Sequence, residues 1–475
     1  MESEDKPRLI IAGASGFVGK ALAPLLADRF HLVGLSRSER AGGNGFAEHR
    51  KCDLFSLKQA ERALEGCEYA IYLVHNMMPS AKLTQGNFAD LDVVCADNFA
   101  RAAARAGIKQ IVFLGGLCPN DGSLSKHLES RAEVERVLAG HGVPVTTLRA
   151  GLILGGDGSS FQIMSRLVQR LPIMVCPRWT NTRTQAVALR DVVQLINYVI
   201  GREEHYSRVY DVSAPEVVTY RELMAMTARA LRKRRWFIPS RVLSPGLSRL
   251  WISLVTGAPR ALVAPLVQSL KHEMVAGPST LAAEAGLRRT SMREAIELAI
   301  ADDSVTVPHA FRGAKSDDRP HSVRSVQRMQ LPEGWTAERA AMDYVRWLPH
   351  FLRWMLRVRR QAGEGFSFDL IPLGITLLTL THSAARSSAD RQLFHVTGGA
   401  LAPAGSHARF EMRQVLGGRA LLAVVHDYEP RLPWLLYVAT QAQFHKWLMH
   451  RFGKHLLDEP DIGEATTASL KALPS

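Results

Sequence analysis

Apolar positions in the first 150 residues alternate between two periods. Residues 8–12 form a largely apolar run ending in glycine, and Leu22, Leu25, Leu26 and Phe30 then recur at helical spacing over 19–30. Further strands are expected over 31–35, 69–74, 111–114 and 146–154, with helices over 57–64, 87–106 and 128–139 between them. On the 87–106 helix Leu91, Val94, Cys95, Phe99 and Ala102 share one face, and Gly107 stops it. Strands alternating with helices of this length are βαβ units, and such units build a parallel sheet.

Beyond 155 the pattern becomes helix-rich, with helices expected at 190–200 and 221–231 and an apolar stretch at 243–270. Residues 304–335 carry Pro, Ser, Asp and Arg without a period and read as a linker. After them 343–360 and 435–456 are expected as helices, and 368–381, 393–397, 408–416 and 420–428 as strands. Gly417-Gly418 offers hairpin chemistry between the last two strands. The expected class is therefore α/β: a parallel-sheet domain at 1–154 and a helix-rich subdomain of the same unit at 155–303. A separate α+β domain follows at 336–457, and a tail at 458–475. Helix, antiparallel strands and a long closing helix resemble the helix-grip or START-like shape, which implies an apolar ligand. Arg409, Glu411 and Arg413 alternate along one strand and read as a solvated sheet face.

A chain of 475 residues implies two or three domains. Its 59 Lys and Arg against 45 Asp and Glu leave +14, which suits an anionic partner or simply solubility. The five cysteines are odd in number and lack a CxxC pair, which argues against a disulfide framework or a metal site and for a reducing compartment. The N-terminus is polar and acidic, unlike a signal peptide, and the most apolar stretch, 250–267, is interrupted by Arg260. A cytoplasmic location follows. Five arginines lie between 346 and 360 beside Trp347 and Trp354, and 232–236 reads Arg-Lys-Arg-Arg-Trp. Tryptophan with arginine on a helix suits peripheral contact with an anionic membrane, and the same stripe also suits a domain core. No nucleic-acid-binding pattern accompanies the charge, so no nucleic acid is expected as a partner.

The most specific signal follows the first strand: Gly13-Ala14-Ser15-Gly16-Phe17-Val18-Gly19, a GxxGxxG spacing between strand and helix. Glycines there allow a tight turn and close backbone approach to a pyrophosphate, and the helix N-terminus supplies N–H groups. An NAD site usually places a carboxylate after the second strand. Here that position reads Ser36-Arg37, and Arg37 can pair with a 2′-phosphate, so NADP is favoured and NAD stays open. Asp53, followed by Leu54, suits the adenine amino group.

Gly13–Gly19, Ser36-Arg37, Asp53 and the strand ends Leu73-Val74-His75 and Leu114-Gly115-Gly116 resemble an atypical short-chain dehydrogenase/reductase. Within that class they are similar to the NmrA-like group and to the related accessory subunit of respiratory complex I, over about residues 7–300. The resemblance implies a Rossmann-type sheet, with Val74 and His75 lining the cofactor, Gly115 beside them, and Ala150 and Gly151 against the nicotinamide. Active members use a Tyr and a Lys four residues apart, after a Ser or Thr. Here His127 stands at the tyrosine position, Arg131 at the lysine position and Gly116 where the hydroxyl is expected. An imidazole can move protons near neutral pH, a neighbouring arginine lowers its pKa, and that arginine could hold a ribose or phosphate. Two readings follow. One is an NADP-dependent oxidoreductase acting on an apolar quinone- or lipid-like small molecule held partly by the C-terminal module. The other is a non-catalytic NADP(H)-sensing or assembly protein peripheral to a membrane.

Overall fold

The computed structural model describes residues 6–37, 45–75, 83–119, 124–240, 252–302, 323–361, 365–403 and 405–458. The chain divides into two compact units, Met1–Met78 with Asp92–Arg312, and Pro79–Leu91 with Gly313–Ser475. In chain order the first elements are β1 (Arg8–Ala12), α1 (Phe17–Leu26), β2 (His31–Ser36), β3 (Glu48–Lys51), α2 (Leu57–Leu64) and β4 (Tyr69–Tyr72). They are followed by β5 (Leu83–Gln85), α3 (Phe88–Ala106), β6 (Gln110–Gly116), α4 (Lys126–Ala139) and β7 (Val145–Ala150).

The first unit is built on a seven-stranded sheet in the order Val209–Val212, β7, β6, β4, β1, β2, β3, and every pairing is parallel. A parallel strand covered on both faces has no solvated side. Leu9, Ile10, Ile11 and Ala12 of β1 accordingly all have zero exposure, and Val18, Leu22 and Leu26 of α1 are buried with them. Strand order reverses direction between β1 and β4, which opens a crevice at the carboxyl ends of the strands. The expected α/β class and nearly all its elements to residue 139 are present. The run expected as one strand at 146–154 breaks after Ala150, and Ile153–Leu154 pairs instead with Val187–Ala188. Part of the 243–270 apolar stretch lies outside the described residues; its end forms the helix Arg260–Ser269. Arg235, in the second basic cluster, ties down a neighbouring helix end by donating to the carbonyls of Val168 and Gln169, at 2.6 and 2.9 Å.

The second unit carries an eight-stranded sheet ordered Leu356–Gln361, Gly365–Leu370, Ile375–His382, Arg391–Gly398, Arg409–Val415, Ala420–Tyr428, Val323–Gln330, β5. All neighbours are antiparallel except β5, which runs parallel to Val323–Gln330. The helices Ala337–Phe351 and Gln441–Asp458 bring Tyr344, Leu348 and Phe452 into one core with Phe394 and Met412 of the sheet. Among the described residues no helix is long and apolar enough to cross a membrane.

Five expectations for this unit change. Residues 323–330, read as linker, form an inner strand; Arg324 and Ser325 disguised it, and both are buried, Arg324 lying 3.7 Å from Asp427. The helix expected at 343–360 ends at Phe351, soon after Pro349, and Leu356–Gln361 is a strand. Its alternating Leu, Arg, Val, Arg fits a period of two as well as an amphipathic helix. The 368–381 run is a hairpin turned at Gly374 (φ +63), and the closing helix is interrupted at Thr440. The face expected to be solvated is not: Glu411 is 1 % exposed and Arg413 0 %.

Those charges are tolerated because they satisfy one another. Arg391 holds Glu411 with two parallel bonds of 3.0 and 2.9 Å, Arg413 donates to the same carboxylate, and His426 Nε2 lies 3.2 Å away. Burial alone would raise the Glu411 pKa; Arg413, Arg391 and His426 outweigh it and hold it well below the usual carboxylate range. Its contribution to stability is therefore present above the unfolded-state pKa and lost as pH falls through the folded value. Removing the carboxylate would strand two buried guanidinium groups. Glu411→Ala should destabilise the second unit by about 3–5 kcal/mol, read by urea unfolding followed through tryptophan fluorescence. A loss below about 1 kcal/mol would show that the cluster is hydrated and energetically idle.

Candidate functional site

β1 ends at Ala12 and α1 starts at Phe17, so the chain must turn within Gly13–Gly16. Gly13 takes φ +92, a conformation suited to glycine, and its carbonyl accepts the Gly16 N–H at 2.9 Å. Close approaches explain the other glycine positions. A Cβ at Gly13 would lie 3.1 Å from Leu73 Cβ, and one at Gly19 would lie 2.5 Å from the Gly13 oxygen and 2.8 Å from Ala14 Cα. The first turn of α1 is thus pressed against the loop. Its N-cap, Gly16, provides no side-chain cap, and the first turn has no acidic residue. Backbone N–H groups and the positive end of the helix dipole are left for an anion. Ser15 and Gly16 are exposed, and the half-buried Phe17 ring packs beside Gly155 and Gly158.

The next two strand ends extend the row. Ser36 closes β2, its carbonyl accepting the Cys52 N–H at 2.8 Å, and Arg37 follows, exposed. Asp53 follows β3. Its carboxylate accepts the Phe55 N–H at 3.1 Å, while its own N–H donates to Gln59 Oε1 at 2.9 Å, which turns the chain into α2. Leu54 is buried, with its carbonyl bonded by Asn98 Nδ2 at 2.8 Å.

On the other side of β1, Val74 and His75 follow β4, and Gly115 and Gly116 end β6. Ala150 ends β7 opposite Gly116, and Gly151 comes next. A Cβ at Gly115 would sit 3.1 Å from the Phe113 ring, and one at Gly151 would sit 3.3 Å from both the Gln185 oxygen and Leu117 Cδ1. His75 Nδ1 lies 2.7 Å from Asp92 Oδ2, and the His75 and His127 rings are 5.1 Å apart between centroids. Arg131 is buried over the Phe113 ring and donates to the carbonyls of Leu114 (2.6 Å) and Val74 (3.3 Å). The expectation gave this arginine a ribose or phosphate; the bonds it makes here clamp the ends of β4 and β6 together.

Burial, then His75 and then Arg131, push the His127 imidazole down to about 3, with Asp92 opposing. It is neutral at physiological pH, for a reason larger than the adjacent arginine that the sequence pointed to. At Gly116 a Cβ would meet nothing closer than Arg131 Cγ at 3.6 Å, so the missing hydroxyl is a matter of sequence rather than of space.

Sequence reasoning missed Asp92 and Tyr72. Asp92 is 1 % exposed on α3, and its signal was a carboxylate beside the helix's apolar stripe. Tyr72 is fully buried against Phe99 and Phe113, with burial raising its pKa, and an apolar strand gave no hint of it. Among the described residues no three His, Cys, Asp or Glu side chains are grouped to hold a metal.

A family model described as NAD(P)H-binding matches residues 13–171. The auxiliary protein GraX of Staphylococcus aureus is 29% identical over 146 residues, covering 30% of this chain and 43% of GraX, so the match spans less than half of that relative. The (4-alkanoyl-5-oxo-2,5-dihydrofuran-3-yl)methyl phosphate reductase of Streptomyces griseus is 26% identical over 269 residues, 56% of this chain and 86% of that enzyme. Triphenylmethane reductase of Citrobacter sp., solved in complex with NADP(H), shares the fold with a TM-score of 0.50 at 18% identity, over 61% of this chain and 99% of that one. Residues 13–171 form an NAD(P)H-binding domain.

Proposed function

We propose that the chain is an atypical, NmrA-like short-chain reductase that prefers NADP(H) to NAD(H) and reduces an apolar acceptor of quinone-like or lipid-like character. The observation that carries this reading is the glycine cradle at the mouth of α1, followed after β2 by Arg37 where an NAD site would place a carboxylate. The Streptomyces relative, matched over most of its length, is itself a reductase. A bound NAD(P)H supplies a hydride. In this reading α1 and Gly13–Gly16 hold the pyrophosphate, Arg37 the 2′-phosphate and Asp53 the adenine edge. Val74, His75, Gly115, Ala150 and Gly151 line the remainder, and Arg131 positions two strand ends.

The neutral His127 bears on the acceptor. A general acid works best with a pKa near the operating pH, and a buried imidazole at about 3 has no proton to give as imidazolium. That favours an acceptor whose reduced form takes its proton from water, as a quinone can. Peripheral contact with an anionic membrane belongs to the same reading. Trp354 (72 % exposed) and Leu435 (83 %) sit in solvent on the second unit, Arg353 next to Trp354 in the chain is exposed, and so are Arg357 and Arg360 on the strand that follows.

NADPH should bind the intact chain roughly ten- to a hundredfold more tightly than NADH, as one charge-assisted bond allows, and Arg37→Ala should remove that preference. Gly16→Val should abolish binding of both while the protein stays folded. His127→Phe should leave NADPH affinity within a few-fold, and quinone reduction by the unmodified protein should show no titration between about pH 6 and 8. Equal affinities for the two cofactors would remove the NADP assignment. Tight NADPH binding without turnover on any quinone would move the reading to a sensing or assembly protein.

Sedimentation with vesicles tests the membrane contact. Each basic residue near an anionic surface contributes about 1 kcal/mol, screened by salt. Binding to anionic but not neutral vesicles, released by salt and weakened by Arg353→Glu with Arg357→Glu, is expected. Indifference to both vesicle types at low salt would contradict it.

A further inference from the structure

The second unit encloses a cavity of about 190 Å³ that belongs to neither the sheet ends nor the glycine loop of the first. Its wall is mostly apolar, with Leu348, Leu378, Val396 and Phe410 among its residues, and among the described residues no Lys, Arg, Asp or Glu contributes to it. It exceeds the roughly 150 Å³ apolar cavity that admits benzene. Phe444, 40 % exposed, forms part of the wall, so the space reaches the surface there.

One end of this wall is polar, and the hydrogen bonds around it are incomplete in a specific way. The Tyr428 hydroxyl donates to the Leu401 carbonyl at 2.6 Å, and its oxygen accepts from Gln441 Nε2 at 2.6 Å. Because Tyr428 spends its single proton on Leu401, it can only accept from Gln441. The Gln441 amide is therefore held with its NH₂ on the tyrosine and its Oε1 turned elsewhere. That Oε1 is inaccessible to solvent and has no hydrogen-bond partner, and the same is true of His445 Nε2. The two residues are four apart on the helix Gln441–Asp458, hence on one face, and both line the cavity. A buried polar atom left unbonded is costly, so two at one end of an apolar space, an amide oxygen that accepts and an imidazole nitrogen that can donate, mark a place for a ligand's polar group.

From this arrangement we infer that the second unit binds a neutral apolar molecule bearing a hydroxyl, with the apolar body in the cavity and the hydroxyl between Gln441 and His445. A hydroxyl meets both needs: its proton goes to Gln441 Oε1, and its lone pairs accept from the His445 Nε2–H tautomer. An ether lacks the proton. A carboxylate would bring a charge against a wall with no cation, and burial pushes His445 down to about 4, so it is uncharged at neutral pH. This site is independent of the dinucleotide reading, and either can fail without the other.

The test uses the full chain and three probes of near-equal size: octan-1-ol, its isomer heptyl methyl ether, and octanoate at pH 8, measured by equilibrium dialysis. Octan-1-ol should bind roughly tenfold more tightly than the ether, the worth of one satisfied buried acceptor, and more tightly than octanoate. Gln441→Leu should erase the preference for alcohol over ether, and Leu378→Trp, which fills the space, should abolish uptake of both. NADPH affinity of these variants should be unchanged. Should a variant fail to fold, the comparison of the two isomers on the unmodified protein still decides. Equal binding of alcohol and ether, or tighter binding of octanoate, would overturn the inference.

Discussion

The approach of α1 to the end of β1 governs everything else in the first unit. At Gly19 a single added carbon would stand 2.5 Å from the Gly13 oxygen, well inside contact distance. Only hydrogen fits there, so the helix starts directly on the strand that it follows and aims its N–H groups at the reversal point of the sheet. Moving the helix outward to admit a side chain would lose both the aim and the packing of Leu22 and Leu26. The same crowding recurs at Gly13 against Leu73, which ties the loop to the end of β4. Arg131 then joins β4 to β6 by their carbonyls. A row of strand ends held this rigidly is a template for an extended ligand.

Much of this was legible from residue order. The βαβ alternation to residue 139 and the GxxGxxG loop depend on local periodicity and on glycine, which sequence displays directly. What sequence hid was direction. His127 and Arg131 stand at positions where chemistry is expected, but their environment decides their behaviour: Arg131 turns inward to carbonyls, and burial keeps His127 neutral. Asp92, which partners His75, lies on α3 while His75 follows the end of β4, and no spacing rule connects the two.

In the second unit the same limit appears with larger effect. Strand Arg409–Val415 alternates in polarity like a half-solvated strand, yet both of its faces are buried because Arg391 and Arg413 surround Glu411. Charges that cancel in space look exposed in sequence. Strand Val323–Gln330 was hidden in the same way by Arg324 and Ser325, and β5 by its distance along the chain from the sheet it joins. Pairing across many residues is a property of topology that a one-dimensional period does not carry.

The central claim is that the carboxyl edge around β1 and β4 holds the dinucleotide. Hydrogen–deuterium exchange of the intact chain with and without NADPH tests it most directly. Slower exchange at residues 13–19 and 73–75 on adding NADPH, with residues 323–458 unchanged, is the predicted result. Exchange that is unaltered at 13–19, or protection confined to 323–458, would contradict it.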